Sequence, residues 1–208
     1  VLGFSLQHEL TYTNILTMLK LGRIPLRAAE RAEGDPLVIA GGSGAYNPEP
    51  LASFFDAFFV GEGEQALVGL LQQVRRAKAD GWDRQTLLGA LAQVPGTYVP
   101  SLYEAAPGPH GTLPPRPNCA AAPDVITKRI VSELPPIPTR PIVPAMRVVH
   151  DRAMVEIQRG CSRGCRFCQA GMIYRPIRER PVHEIVSAVD QILANTGYDE
   201  VSFVSLSS

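Results

Sequence analysis

Three cysteines, Cys161, Cys165 and Cys168, lie within the segment GCSRGCRFCQAG at positions 160–171. The preceding segment AMVEIQRG is typical of a strand, and the following segment PVHEIVSAVDQILANTG is typical of a helix that ends at its glycine. A second strand, DEVSFVSL, completes a pattern that predicts a right-handed parallel βαβ unit, with the cysteines in the loop after its first strand. The apolar face of the helix is predicted to comprise Val182, Ile185, Val186, Val189, Ile192 and Leu193.

The spacing of the three cysteines leaves several interpretations open. Three thiolates can hold three corners of a [4Fe–4S] cluster, and the fourth iron then lacks a protein ligand and can bind a cosubstrate. A zinc site would need a further ligand such as His150 or His183, and a ferredoxin-type carrier would need a fourth cysteine close in sequence. Three unligated thiols beside glycines and arginines would make a poor apolar core. The remaining cysteine, Cys119, is interpreted as an incidental free thiol.

The C-x3-C-x2-C spacing, with Phe167 directly before the last cysteine, resembles the signature of radical S-adenosylmethionine (SAM) enzymes. The resemblance implies that the cysteines bind a [4Fe–4S] cluster, that Phe167 belongs to the cofactor site, and that SAM chelates the open iron and is cleaved reductively. It also implies that the βαβ unit begins a (β/α) barrel, in which chemistry lies at the carboxyl ends of the strands. Ser207 and Ser208 end the second strand, where relatives bind the amino group of SAM, although the usual glycine–glycine–glutamate sequence is absent.

Six arginines lie between residues 159 and 180, against the single acidic residue Glu179. Guanidinium groups favour an anionic cluster and the carboxylate of SAM, but a solvated basic loop or an RNA-binding surface would have the same composition. The continuation YRPIRER resembles the segment after the cluster in radical SAM methylthiotransferases and their cobalamin-dependent relatives.

Short apolar runs alternate with helical segments over residues 1–80. The runs that predict buried parallel strands are VLGFSL at 1–6, PLVIAGG at 36–42 and DAFFVGEGE at 56–64. Helices are predicted over residues 11–21, 50–55 and 64–79, the last with Leu67, Leu70, Leu71 and Val74 facing the core. This alternation predicts a doubly wound α/β sheet, in which ligands bind outside the carboxyl ends of the strands. Glycine at these ends would let a large ligand approach the backbone closely.

This first domain, placed before a radical SAM barrel, resembles the Rossmann-like cobalamin-binding domain of B12-dependent radical SAM proteins. The phrases GFSLQHELTYTNIL and NPEPLASFFDAFFVGEGE are similar to an uncharacterised bacterial branch of that family. The resemblance implies a cofactor-binding set at the strand ends: Ser5, Leu6, Gly41, Gly42, Gly61, Glu62 and Gly63. The D-x-H-x-x-G motif that supplies a cobalt ligand in many such domains does not occur around any of the four histidines.

The domain organisation follows from a change in composition. Eleven prolines lie between residues 104 and 147, which predicts a semi-rigid extended connector. We therefore predict a partial cobalamin-binding-like domain at 1–103, a proline-rich connector at 104–147 and the truncated start of a radical SAM barrel at 148–208. Strand-like sequence at both termini suggests a fragment of a longer protein, inactive by itself.

Composition restricts the class of protein. A formal net charge of zero gives no overall attraction to nucleic acid or membrane, and clustered thiols are typical of a reduced cytoplasmic metal site. No apolar run has the length of a membrane helix. Three functions remain: a radical SAM enzyme with or without cobalamin, a methylthiotransferase-like enzyme acting on RNA, and a non-catalytic Fe–S or zinc scaffold. A radical SAM enzyme would act on a small-molecule or RNA substrate and require an electron donor such as flavodoxin or ferredoxin.

Overall fold

The computed structural model describes residues 1–105, 108, 114–146 and 148–207. The chain forms two compact units, Val1–Val131 and Ser132–Ser208, and each is described by itself. Among the described residues, no helix combines the length and the apolar character needed to cross a membrane.

The first unit contains a four-stranded mixed sheet with the order β1-β2-β3-β4. Its strands are β1 (Leu2–Ser5), β2 (Val38–Gly41), β3 (Ala57–Phe59) and β4 (Thr97–Tyr98). The first three strands are parallel, as the sequence predicts, with Leu2 opposite Val38 and Ile39 opposite Ala57, whereas β4 pairs antiparallel with β3. The spatial order follows the chain order, so these four described strands contain no point at which the order reverses.

Helices cover both faces of this sheet, because alternate residues of the buried strands point to opposite sides. The helices are α1 (Tyr12–Leu21), α2 (Gly63–Asp80) and α3 (Arg84–Ala92). Leu37 and Ile39 belong to a core formed with α2 and α3, while Val38 and Ala40 belong to a second core formed with α1. The 3-10 helices of this unit are Glu9–Thr11, Ala28–Glu30, Ser43–Tyr46, Glu49–Phe54 and Pro100–Leu102.

The helices of this unit differ in detail from the prediction. In α2, Leu70 and Val74 are buried as predicted, but Leu67 and Leu71 are 46% and 41% exposed. The buried stripe continues instead to Ala77, which lies one turn beyond Val74. Helix α3 was not predicted from the sequence, although Asp83 caps its first turn by accepting a hydrogen bond from the backbone N–H of Thr86.

A network of buried ion pairs lies directly before β3. The Asp56 side chain is 1% exposed and pairs with Arg31 at 2.9 Å and with Arg84 at 2.8 Å. Asp56 Oδ2 also accepts from the backbone N–H of Val38 at 2.7 Å. One carboxylate therefore connects two strands, the segment before β2 and the first turn of α3.

The proline-rich segment is divided between the two units. After β5 (Tyr103–Ala105), which pairs antiparallel with β6 (Pro115–Pro117), the chain returns to the sheet, and Val131 is buried in the first unit. Ile137 instead belongs to the core of the second unit. Residues 106, 107, 109–113 and 147 of this segment lie outside the described residues. The predicted boundaries after residues 103 and 147 remain predictions.

The second unit is built on two parallel strands and a helix. In chain order its elements are β7 (Ala153–Glu156), β8 (Gln158–Arg159), α4 (Ala170–Ile173), β9 (Arg178–Glu179), α5 (Val182–Thr196) and β10 (Val201–Val204). Strand β7 pairs parallel with β10, with Ala153 opposite Val201, as expected of a βαβ unit.

Helix α5 covers β7 with a face somewhat different from the predicted one. Ala188 and Ile192 are buried together with Ala153 and Val155, whereas Val182 and Val186 are 75% and 54% exposed. The helix ends at Gly197, as predicted. This glycine adopts a left-handed φ of 75° and donates its N–H to the carbonyl of Leu193.

Candidate functional site

The three clustered cysteines lie in a loop whose two ends are held together by a short ladder. The loop leaves through β8 and returns through β9, which pair antiparallel with Arg159 opposite Arg178. Gly160 follows β8 with a φ of 95°, and a Cβ there would collide with the carbonyl oxygens of Tyr174 and Pro176. Only glycine therefore fits at this position. We call residues 160–177 the cysteine loop, and we call β8, β9 and Gly160 the neck of the loop.

Within the cysteine loop the thiols have different environments. Cys161 is buried, Cys165 is exposed and Cys168 is half-buried. The backbone N–H of Cys168 donates to the carbonyl of Cys165 at 3.1 Å, so these two residues share one tight turn. Helix α4 begins two residues later and buries Ile173, which anchors the far side of the loop.

The structure places the cysteines on one loop without gathering their side chains around a common centre. In the described part of the chain, no group of three or more His, Cys, Asp or Glu side chains is arranged to hold a metal ion. The chemistry of the donor set nevertheless fits an iron–sulfur cluster, because thiolates are the ligands that these clusters use. Cluster ligation by Cys161, Cys165 and Cys168 therefore rests on donor type and spacing, and it stays a prediction.

Ser207 lies beside the cysteine loop, just beyond the carboxyl end of β10. Its hydroxyl oxygen accepts a hydrogen bond from Nε of Arg163 at 3.3 Å, and its N–H donates to Oγ of Ser205. Ser208, the other predicted SAM contact, lies outside the described residues. Phe167 is 92% exposed, so its ring is accessible but contributes nothing to the core. This end of the strand thus combines a hydroxyl, a guanidinium and the cysteine loop.

A network of ion pairs lies beneath the loop at the end of β7. The carboxylate of Glu156 pairs with Arg159 at 2.9 Å and with Arg180 at 3.4 Å, and Arg180 also pairs with Glu184 in the first turn of α5. Partial burial acts to raise the pKa of Glu156, but the hydrogen bonds and charges of Arg159 and Arg180 outweigh it and lower the pKa. This carboxylate is therefore held in its ionised form.

At the carboxyl ends of β1 and β2, the predicted cofactor-binding residues contact other parts of the same chain. Leu6 is fully buried in the core, so its side chain is not available to a ligand. Gly42 has a φ of 92°, and a Cβ there would lie 2.8 Å from the carbonyl oxygen of Leu6. Ser5 is exposed and accepts a hydrogen bond from the side chain of Gln7, and a Cβ at Gly41 would lie 3.8 Å from the carbonyl oxygen of Phe59.

The third strand end is closed by the segment around Arg129. Gly61, with a φ of 115°, forms a parallel bridge with Arg129, and a Cβ at Gly61 would overlap the Arg129 backbone. Glu62 accepts a hydrogen bond from the N–H of Val131 at 2.6 Å, whereas Gly63 has open space around it. The close approach that the glycines permit is thus made by the protein's own backbone. Cobalamin binding at these strand ends stays a prediction.

Two known families match the chain. Residues 155–206 match the radical SAM superfamily, and residues 1–100 match a family described as radical SAM proteins, N-terminal. These matches support a radical SAM protein. No curated protein matches the chain. The match over residues 155–206 includes the end of β7, the cysteine loop, α5 and β10, which are the elements that carry the candidate site.

The radical SAM superfamily is associated with a [4Fe–4S] cluster and SAM, whereas the description of the N-terminal family does not mention cobalamin. The ion pairs of Glu156 and Glu184 were not predicted from the sequence. The spacing of Arg180 and Glu184, four residues apart at the start of a predicted helix, was the available signal for one of the pairs. The pairing of Glu62 with Val131 had no such signal, because 69 residues separate its partners.

Proposed function

We propose that the chain is part of an enzyme that binds a [4Fe–4S] cluster through Cys161, Cys165 and Cys168 and reductively cleaves SAM. One observation carries this proposal: three thiols at radical SAM spacing lie in the loop that follows the first strand of a parallel βαβ unit. The superfamily match over the same residues supports it. Because the superfamily match covers only residues 155–206, we assign the activity to the whole protein and not to these residues by themselves.

The residues of the chain have separable roles in this function. The three thiolates hold three irons and leave the fourth open, and the bound cluster supplies the electron that breaks a carbon–sulfur bond of SAM. Arg163 is exposed and donates a hydrogen bond to Ser207, and in the proposed role its guanidinium would attract the carboxylate of SAM. The Ser207 hydroxyl oxygen would accept a hydrogen bond from the amino group of SAM.

Cobalamin-dependent methyl transfer is not included in this proposal. Two of the strand-end glycines that suggested a cobalamin domain, Gly42 and Gly61, have close contacts with Leu6 and Arg129 of the same chain. The substrate remains a small molecule or an RNA, and an electron donor such as flavodoxin or ferredoxin remains the expected partner. Methylthiotransferases contain a second three-cysteine cluster, and the sequence contains only Cys119 beyond the three loop cysteines.

The test is anaerobic reconstitution of the full-length protein with iron and sulfide. We expect about four irons per chain in the wild type, loss of most of this iron in Cys161→Ser, Cys165→Ser and Cys168→Ser, and no loss in the matched variant Cys119→Ser. Addition of SAM should change the electron paramagnetic resonance spectrum of the reduced cluster, and dithionite with SAM should yield 5′-deoxyadenosine. Bound zinc without sulfide would instead favour the scaffold and refute this function.

A further inference from the structure

A single carboxylate holds both ends of the cysteine loop. Glu156 Oε1 accepts from Nε of Arg159 at 2.9 Å, and Arg159 lies in the outgoing strand β8. Glu156 Oε2 accepts from Nη2 of Arg180 at 3.4 Å, and Arg180 directly follows the returning strand β9. The neck of the loop is thus closed by charge as well as by the two-residue ladder.

Arg180 extends this closure to the helix behind the loop. Its Nη1 donates to Glu184 Oε1 at 2.9 Å, and its backbone N–H donates to the carbonyl of Ile157 at 3.0 Å. The side chain is 3% exposed, although it carries a full charge. A charge this deeply buried is stable only with its carboxylate partners in place. The position of the Arg180 side chain therefore depends on both Glu156 and Glu184.

We infer that Arg180 is a positioning residue that sets the conformation of the cysteine loop, and thereby the placement of its thiols for the cluster. The inference rests on the proposed function where it concerns the cluster. The physical reason is that β8 and β9 are only two residues long, and a ladder of that length is too short to be stable alone. Without the guanidinium, Glu156 and Glu184 would lose their common partner, and the returning strand would separate from β8.

The burial of Cys161 gives a readout that needs no cluster. Cys161 directly follows the neck and is 8% exposed, while Cys165 is exposed. Opening of the neck should therefore expose Cys161 and leave Cys165 almost unchanged. Cys119 belongs to the first unit and serves as an internal reference for the alkylation reagent.

The experiment measures alkylation rates of each cysteine by mass spectrometry in the metal-free, full-length protein. In the wild type, we expect Cys161 to react about tenfold more slowly than Cys165. Arg180→Met should reduce this ratio to about twofold, Arg180→Lys should give an intermediate ratio, and Cys119 should react at its wild-type rate in both. Arg152→Met, which removes a partly exposed ion pair with Glu200 in the same unit, is the matched control and should leave the ratio unchanged.

A second measurement connects the loop to the cluster. After reconstitution, Arg180→Met should release iron to a chelator several-fold faster than the wild type and show a smaller SAM-induced spectral change, and Arg180→Lys should restore part of both. An unchanged Cys161 to Cys165 ratio in Arg180→Met would overturn the inference. If Arg180→Met does not fold, the ratio in Arg180→Lys decides. Failure of the wild type to assemble a cluster would refute the proposed function, while the alkylation ratios would still report on positioning.

Discussion

Arg163 in the cysteine loop donates a hydrogen bond to Ser207 at the end of β10, across 44 positions of the sequence. This contact connects the loop that follows β7 with the end of the neighbouring parallel strand. Since the carboxyl ends of parallel strands meet at one edge, a ligand bound there would contact both segments.

Replacement of Arg163 should weaken SAM binding without loss of the cluster. If the exposed guanidinium makes the proposed charge-assisted contact with the carboxylate of SAM, Arg163→Gln should raise the Kd for SAM about three- to tenfold. Equilibrium binding to the reconstituted protein measures this, with iron content determined in parallel. Arg152→Gln is the control, since Arg152 precedes the amino end of β7. Equal affinities for the wild type and Arg163→Gln would remove Arg163 from the SAM site.

The Gly61→Ala variant should be markedly less stable than the wild type. Gly61 has a φ of 115°, and an added Cβ would overlap the backbone of Arg129, so the free energy of unfolding should fall by at least about 2 kcal/mol. Urea denaturation of the first unit provides the measurement. Gly69→Ala lies in α2 with nothing near its added Cβ, and it should instead be stabilising by about 0.5–1 kcal/mol. Similar stability of the two variants would argue against the bridge to Arg129.

Removal of the Asp56 charge should be severely destabilising. In Asp56→Asn, the buried guanidinium of Arg31 and the largely buried one of Arg84 lose their only described carboxylate partner, at a cost of about 3–5 kcal/mol. Asp80→Asn removes the partner of Arg76 in an exposed pair and should change stability by less than about 0.5 kcal/mol. Thermal denaturation of both variants compares a buried pair with an exposed one. A loss below about 1 kcal/mol in Asp56→Asn would contradict this reading of the network.

The stability of the second unit should decrease in acid because of Glu156. Its folded-state pKa is lowered below the ordinary value of 4.5, so ionisation favours the folded state. The resulting stability is fully present above pH 4.5 and is lost as the pH falls through the lower, folded-state pKa. Acid unfolding followed by circular dichroism should show a less steep acid dependence in Glu156→Gln than in the wild type. Glu200→Gln, which removes the exposed partner of Arg152, should retain the wild-type dependence, and identical curves for all three proteins would contradict the prediction.

Much of the local structure was predictable from spacing. The period of Leu70 and Val74 predicted the buried stripe of α2, and Gly197 predicted the end of α5. The width of each apolar face was less predictable. Leu67 and Val186 satisfy the helical period, but they lie at the edge of their apolar faces and remain exposed. Periodicity gives the direction of a face, while the width of the face depends on what packs against it.

The strand-end glycines show a different limit. Glycine at residues 42 and 61 correctly indicated close approach to the backbone, but the sequence did not reveal what approaches. The structure places the backbone of Leu6 beside Gly42 and the backbone of Arg129 beside Gly61. A ligand and a distant segment of the same chain select for the same small residue, because both require the absence of a Cβ.

The sequence by itself determined the cysteine spacing, the parallel βαβ order around it and the ends of the longest helices, because these depend on residues close together in the chain. Only the tertiary structure decided that Glu156 joins Arg159 to Arg180, that Asp56 joins Arg31 to Arg84, and that Glu62 binds Val131. The physical reason is that such pairs lie up to 69 positions apart. Their proximity depends on the path of the folded backbone, which local propensity and spacing do not encode.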